Sequence, residues 1–186
     1  MATSRYFAYG SNMLRERLVA RVSTAKAVAV GVVRDFRLDF AKVSVDHSGK
    51  GDMVSSTGGE VWGVLYEFDG SQKTDLDKHE GTHYRAREVA VSTTDGGQTA
   101  WAYIAEPHRR DPSKVPYDWY LALIVAGARQ CGLPGHYIRT LESVAFDVDD
   151  MEGRATRQEA LAALAEAGMT SVLDEVTQGT TLATGG

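Results

Sequence analysis

The stretch Arg5–Leu14 reads Arg-Tyr-Phe-Ala-Tyr-Gly-Ser-Asn-Met-Leu, a short apolar run that stops at Gly10. Its first five residues predict a β-strand, and Ser11 or Asn12 can cap a helix that follows the glycine. A strand that turns sharply into a helix exposes main-chain NH groups, which can bind a carboxylate or a developing oxyanion. Such turns are common, so this stretch alone favours a structural role over a functional one.

The rest of the chain mixes strand and helix signals. Strands are predicted at 25–33, 36–45, 60–68, 84–93 and 98–105, the last two as a hairpin, and helices at 71–79, 117–131, 134–143 and 154–176. The Gly- and Ser-rich segment Asp46–Gly59 predicts a mobile loop, and we expect 177–186 to be disordered. Strands outnumber a simple strand–helix alternation, which favours an α+β fold: a mixed sheet forming a small β-barrel flanked by helices.

Composition excludes several classes of function. The 186 residues carry a formal net charge of −5, which argues against nucleic acid as a partner. No apolar run approaches membrane-spanning length, and the first residues lack the pattern of a secretory signal. The sequence therefore predicts a cytoplasmic protein that binds neither nucleic acid nor membrane.

The segment Leu76–Arg85 contains His79-Glu80-Gly81-Thr82-His83, a formal match to the H-E-x-x-H pattern of zinc peptidases. Two histidines four residues apart share a metal only if one helix runs through both. Gly81 and the β-branched residue after it both favour ending the helix near Glu80. The pattern therefore favours a lone acid at a helix end, and the zinc peptidase remains a remote alternative.

Five blocks of the chain, in order, resemble the γ-glutamylcyclotransferase family. They are Tyr6–Met13, Arg34–Phe40, Glu60–Val64, Leu76-Asp77-x-x-Glu80-Gly81 followed by Tyr84, and Gly127-Ala128-Arg129-x-x-Gly132-Leu133-Pro134. Several matched blocks in the same order are much harder to produce by chance than one motif. The resemblance spans 6–144 and implies a catalytic domain over 1–150 with a helical C-terminal extension over 151–186.

The resemblance implies an enzyme that releases 5-oxoproline from a γ-glutamyl amide, a small-molecule substrate. Glu80 is then the catalytic proton acceptor, and no metal or organic cofactor is implied. The implied substrate-binding residues are Tyr6, Phe7, Ala8, Tyr9, Gly10, Ser11, Asn12, Tyr84 and Tyr120.

The chemistry of that reaction makes its own demands on the site. The α-ammonium of the substrate must lose a proton, and an exposed glutamate is a poor base for it. We therefore expect Glu80 to lie in a partly dry pocket, and the loop Asp46–Gly59 to close over the leaving group.

Two alternatives and one region stay open. A non-catalytic relative with the same fold could use the pocket to bind a small molecule or a protein, and local sequence alone favours a solvent-exposed Glu80. The amphipathic stretch within 151–186 could pack on the core, cover the pocket, or pair with another chain to form a homodimer.

Overall fold

In a computed structural model, which describes residues 2–81 and 83–181, the chain forms a closed five-stranded barrel with six α-helices. The strands are β1 (Thr3–Ala8), β2 (Lys26–Val43), β3 (Gly49–Asp69), β4 (Tyr84–Thr93) and β5 (Gly96–Ala105). The helices are α1 (Arg15–Arg21), α2 (Lys73–Glu80), α3 (Asp118–Gln130), α4 (Gly135–Glu142), α5 (Ala155–Glu166) and α6 (Ser171–Thr181).

The barrel follows the order β1-β3-β2-β4-β5 and closes where β1 meets β5. That last pairing is parallel, with Tyr6 opposite Trp101, while the other neighbours are antiparallel. Closure removes the exposed edges that an open sheet would present. The predicted α+β fold with a small barrel is confirmed, as is the hairpin of β4 and β5.

The two strands predicted at 25–33 and 36–45 are one long strand, β2. Its pairing with β3 shifts register between Arg34 and Phe36, and Asp35 has a φ of 63°. A residue in this left-handed region kinks the strand without ending it. The prediction of a break was therefore wrong, because the barrel partner keeps the chain extended on both sides of the kink.

The mobile loop predicted at Asp46–Gly59 is also wrong, since β3 begins at Gly49. A Cβ atom on Gly49 would lie 2.0 Å from the backbone oxygen of Phe40, closer than any real contact. Here a glycine permits close approach of two backbones rather than mobility. The expectation that this segment closes over a leaving group is wrong for the same reason.

The first turn differs in detail from the prediction. A single 3-10 turn covers Ser11–Met13, and α1 begins only at Arg15, with no side-chain cap at either start. The N-cap residues are Gly10 and Leu14 rather than Ser11 or Asn12, so the expected capping role is wrong. The side chain of Asn12 bonds elsewhere, as described below.

Helix α3 is buried along almost its whole length, and α4, α5 and α6 pack against it. Side chains of α5 and α6, among them Leu164 and Val172, belong to the same core cluster as α3. Packing on the core is thus one role of the segment after residue 150. Helix α6 runs to Thr181, so the disorder expected from Thr177 is wrong up to that residue, and 182–186 lie outside the described residues.

A second core cluster consists of side chains from the strands together with Tyr9. Phe7 and Met53 are fully buried in it. None of the helices in the described part of the chain combines the length and apolar character needed to cross a bilayer.

Candidate active site

A small cavity of about 30 Å³ opens where the end of β1 meets the end of α2. Its walls come from β1 and the turn after it, from β3, from α2, from the β4–β5 hairpin and from α3. The lining residues are Tyr6, Tyr9, Gly10, Ser11, Asn12, Gly51, Glu80, Tyr84, Tyr103 and Tyr120. The segments are far apart in sequence, so barrel closure is what brings them together.

Glu80 is the last residue of α2, and Gly81 ends the helix with a φ of 73°. The Oε1 atom of Glu80 accepts a hydrogen bond of 2.8 Å from Nδ2 of Asn12 and one of 3.2 Å from Nη1 of Arg21. The side chains of Glu80 and Arg21 are only 15% and 13% exposed. The carboxylate therefore lies in a partly dry pocket, as expected, and is oriented through one of its two oxygens.

The end of α2 also bears on the zinc alternative. His79 belongs to the last helical turn, whereas His83 comes after the glycine that ends the helix. The two imidazoles are therefore not held on one face by a continuous helix, which is the arrangement the peptidase pattern needs. Within 2–81 and 83–181, no group of three or more His, Cys, Asp or Glu residues is arranged to hold a metal ion.

Asn12 connects the first turn of the chain to Glu80. Besides Glu80, its Nδ2 donates to the hydroxyl oxygen of Tyr6 at 3.1 Å, and its Oδ1 accepts from Arg21 at 3.0 Å. Asn12 is 4% exposed, so these bonds are made away from bulk water. Hydrogen bonds in a buried network restrict the positions of its members, and these bonds hold the Glu80 carboxylate beside the Gly10 turn.

Two tyrosines hold the backbone of Gly51, which also lines the cavity. The hydroxyl of Tyr84 donates to the Gly51 carbonyl at 2.7 Å, and the Gly51 NH donates to the hydroxyl oxygen of Tyr120 at 3.1 Å. Burial raises the pKa of both hydroxyls, so they stay protonated at neutral pH. The cavity is thus lined by neutral hydroxyl groups around one carboxylate.

Most residues that the sequence singled out meet in this cavity, but two do not line it. Phe7 and Ala8 have no exposed surface; Phe7 packs with the strand cluster and Ala8 with the helical core. A continuous motif therefore contributes only part of its residues to the cavity.

Three residues of the site escaped the sequence analysis. Arg21 is the last residue of α1 and carries no local signal that it would reach Glu80. Gly51 belongs to the segment Asp46–Gly59, which the sequence predicts to be a loop. Tyr103 lies on β5, where an aromatic residue ordinarily indicates core packing; its hydroxyl donates to Asp77 at 2.5 Å. Their contribution follows from long-range packing.

Comparison with known proteins agrees with this arrangement. Residues 60–141 match the sequence model of the AIG2-like family. The chain is 36% identical over 162 residues to γ-glutamylcyclotransferase of Bos taurus, spanning 82% of this chain and 84% of that protein. It is 34% identical to the Homo sapiens protein of the same name, over the same shares of the two chains.

Solved structures give the same result. A structure titled γ-glutamyl cyclotransferase superposes with a TM-score of 0.76 at 30% identity, covering 88% of this chain and 99% of that one. An uncharacterised Homo sapiens protein superposes with a TM-score of 0.75 at 31% identity, over the same shares. By sequence and by fold, the chain belongs to the γ-glutamylcyclotransferase family.

Proposed function

We propose that this protein converts a γ-glutamyl amide to 5-oxoproline and the free amine, with Glu80 as the proton carrier. The observation that supports this most directly is the position of Glu80. Its carboxylate lies beside the Gly10 turn, in a cavity shielded from solvent and lined by tyrosine hydroxyls. A general base needs to be within hydrogen-bond reach of the group it deprotonates, and this cavity is the size of one small group.

The reaction is a transfer within one molecule. The α-amine nitrogen forms a bond to its own γ-carbonyl carbon, and the bond from that carbon to the departing nitrogen breaks. Of the three protons on the α-ammonium, one remains on the lactam nitrogen and two end on the departing amine. Glu80 accepts protons from the attacking nitrogen and donates them to the departing one, which typically contributes on the order of 10² to 10⁴ in rate.

The network around Glu80 suits this role. Asn12 and Arg21 both bind Oε1, which leaves Oε2 to exchange protons with the substrate. A carboxylate held in one orientation rarely adopts an unproductive rotamer. When the flexible glutamyl chain is folded against it, the reacting amine and carbonyl have a high effective molarity. Positioning therefore supplies much of the expected rate.

The turn at Gly10 and Ser11 supplies the second element. The γ-carbonyl oxygen gains negative charge as the ring closes, and backbone NH groups of this turn are the proposed donors to it. One such donor is typically worth on the order of 10² to 10³ in kcat. We propose that four tyrosines enclose the glutamyl group: Tyr6, Tyr9, Tyr84 and Tyr120. Phe7 and Ala8 are proposed to support them by packing in the core.

Only groups of the chain take part in this mechanism, so we predict metal-independent activity that survives treatment with EDTA. The catalytic domain is proposed to comprise 1–150, with 151–186 as a C-terminal extension that packs on it. A cytoplasmic location and a homodimer stay predictions.

The direct test incubates the purified protein with γ-glutamyl-alanine and follows 5-oxoproline by chromatography. Production of 5-oxoproline at a rate proportional to enzyme supports the proposal. Binding of γ-glutamyl amides without any 5-oxoproline, across a panel of leaving amines, would instead favour a non-catalytic relative. Chelator-sensitive peptide cleavage by protein that contains stoichiometric zinc would revive the peptidase alternative.

A further inference from the structure

A groove of about 640 Å³ continues outward from the catalytic cavity. The two share Ser11, Glu80, Tyr84 and Tyr120, so whatever is bonded to the reacting carbonyl extends into the groove. The inner cavity, at about 30 Å³, is far smaller than the groove. Under the proposed cyclisation, the amine half of the substrate would therefore extend into the groove.

The groove is lined by an excess of positive charge. Five of its lining residues are cationic, namely Arg17, Arg21, Lys42, Lys50 and Arg154, against two carboxylates, Asp46 and Glu80. Three of these cations are already matched: Arg21 pairs with Glu80 at 3.2 Å, Lys50 with Asp46 at 2.9 Å, and Arg154 with Asp149 at 2.6 Å. Arg17 and Lys42 form no ion pair among the described residues; carboxylates such as Glu80 act on them only at longer range.

Arg17 gives the stronger indication of a bound anion. The residue is only 8% exposed, and its Nε atom is buried without any hydrogen-bond partner. Burial lowers the pKa of Arg17 to about 10, so the guanidinium still carries its charge at neutral pH. A buried cation with an unused donor is costly unless something pairs with it, and this one lines a groove that a ligand can enter.

Lys42 lies on the wall nearest the catalytic cavity. It is 7% exposed, and its ammonium stands 4.7 Å from the centroid of the Tyr84 ring. A cation held over an aromatic face keeps a fixed position but is not neutralised. Tyr84 lines both spaces, so this charge stands where the two meet.

We propose that Arg17 and Lys42 bind anionic groups of the departing amine, and that the enzyme prefers γ-glutamyl conjugates whose amine half is dianionic, such as γ-glutamyl-glutamate. This inference rests on the proposed cyclisation and adds the class of leaving group. An acidic amino acid brings two carboxylates to two unmatched cations. A polyamine or a lysine side chain would bring further positive charge into the same groove and be repelled.

The test compares three substrates at low ionic strength: γ-glutamyl-glutamate, γ-glutamyl-glutamine and γ-glutamyl-putrescine. The first two are nearly isosteric and differ by one negative charge. We expect kcat/KM for the glutamate conjugate to exceed that for the glutamine conjugate about tenfold or more, and the putrescine conjugate to be the poorest. Added salt should narrow the ratio only slightly, because Arg17 and Lys42 are both buried and buried charges are screened much less than exposed ones.

Two substitutions assign the effect to the groove. Lys42→Gln and Arg17→Gln should each reduce the glutamate-to-glutamine ratio several-fold, whereas Lys26→Gln, on an exposed lysine of β2, should keep the wild-type ratio. Lys42→Gln alone suffices if the arginine variant does not fold. An equal loss for both substrates in the Lys42 and Arg17 variants would overturn the proposal, because these residues would then serve the glutamyl half.

The outcome is separable from that of the proposed function. Equal kcat/KM for the glutamate and glutamine conjugates in the wild-type enzyme would reject the charge preference while leaving cyclisation intact. Absence of 5-oxoproline from all three substrates would reject the cyclisation itself.

Discussion

The side-chain amide of Asn12 donates a hydrogen bond of 2.8 Å to the carboxylate of Glu80, 68 positions further along the chain. Asn12 sits in the turn after β1, and Glu80 ends α2, so the bond joins two segments that only the closed barrel brings together. The same carboxylate oxygen also accepts from Arg21 at the end of α1. Glu80 is thus the point at which the first turn, the first helix and the second helix converge.

Replacing Glu80 with Gln should remove most of the cyclisation activity while the fold persists. The amide oxygen can still accept from Asn12 and Arg21, so the local geometry survives, but the side chain can no longer take up a proton. We expect kcat to fall on the order of 10² to 10⁴. Measurement of 5-oxoproline formation, alongside thermal unfolding, separates loss of chemistry from loss of structure.

The matched control for that variant is Glu166→Gln, which makes the same chemical change at an exposed position of α5. It should leave kcat unchanged. Near-normal turnover by the Glu80 variant would show that another group carries the proton.

Asn12→Ala should lower kcat about ten- to a hundredfold with a much smaller effect on KM. Without the amide, the Glu80 carboxylate keeps only its bond to Arg21 and can leave its productive orientation; misplacement by about 1 Å can cost about a hundredfold. Steady-state kinetics on γ-glutamyl-alanine give the split between kcat and KM. A change confined to KM would contradict a positioning role.

Gln130→Ala is the control for this substitution. The Gln130 amide also binds a glutamate, Glu16, at 2.7 Å, but neither residue lines the cavity. Its removal should leave both kinetic parameters as in the wild type.

Asp149→Asn should destabilise the fold by about 2 to 4 kcal/mol, because it leaves the Arg154 guanidinium without its charge partner. The Asp149 side chain has no exposed surface and accepts from Arg154 at 2.6 Å and from Trp119 at 2.9 Å. This contact ties the start of α5 to α3. Urea unfolding at neutral pH measures the loss, and the exposed neighbour Asp150→Asn should show little.

The same carboxylate predicts a pH dependence of stability. Burial alone would raise the pKa of Asp149, but hydrogen bonds from Arg154 and Trp119 outweigh it and hold the pKa below its ordinary value. The stabilisation is therefore complete above the ordinary aspartate pKa of about 3.9 and is lost as the pH falls through the lower folded-state pKa. The Asn variant should lose less stability over that acid range than the wild type; parallel curves would contradict the assignment.

Gly49→Ala should destabilise the barrel by about 1 to 3 kcal/mol, because the added Cβ would overlap the backbone oxygen of Phe40 and force β2 and β3 apart. Gly97→Ala is the control, since no atom of the described residues lies within 4 Å of its added Cβ. Thermal unfolding of both variants makes the comparison. Equal stabilities would show that the segment tolerates displacement and is not held as a strand.

Local pattern predicted the elements whose signals are local. The hairpin of β4 and β5 follows from alternating apolar residues around a Gly-rich turn, and the end of α2 follows from Gly81. The helix α3 follows from its period and the glycine after it. The matched blocks also pointed to Glu80 as the proton carrier, a role that stays a prediction.

Predictions from residue type were wrong where the same residue type can serve two structural roles. Glycines near Gly49 predicted a loop because glycine is flexible, yet there they permit two strands to approach. Asn12 predicted a helix cap because its side chain can bind local NH groups, yet it binds a distant carboxylate instead. Which use applies depends on what lies nearby in space, and that is not encoded at the position itself.

Periodicity, turn residues and ordered motifs were enough to indicate an α+β barrel and the acid at its rim. Three features of the site depend on the tertiary structure. They are the ion pair of Arg21 with Glu80, the hydrogen bonds of Tyr84 and Tyr120 to the backbone of Gly51, and the charges of Arg17 and Lys42 without ion pairs. Each depends on segments separated by tens of residues. The strength of such contacts depends on how close the two groups lie in space and how deeply they are buried. A sequence pattern shows only which residues are neighbours along the chain.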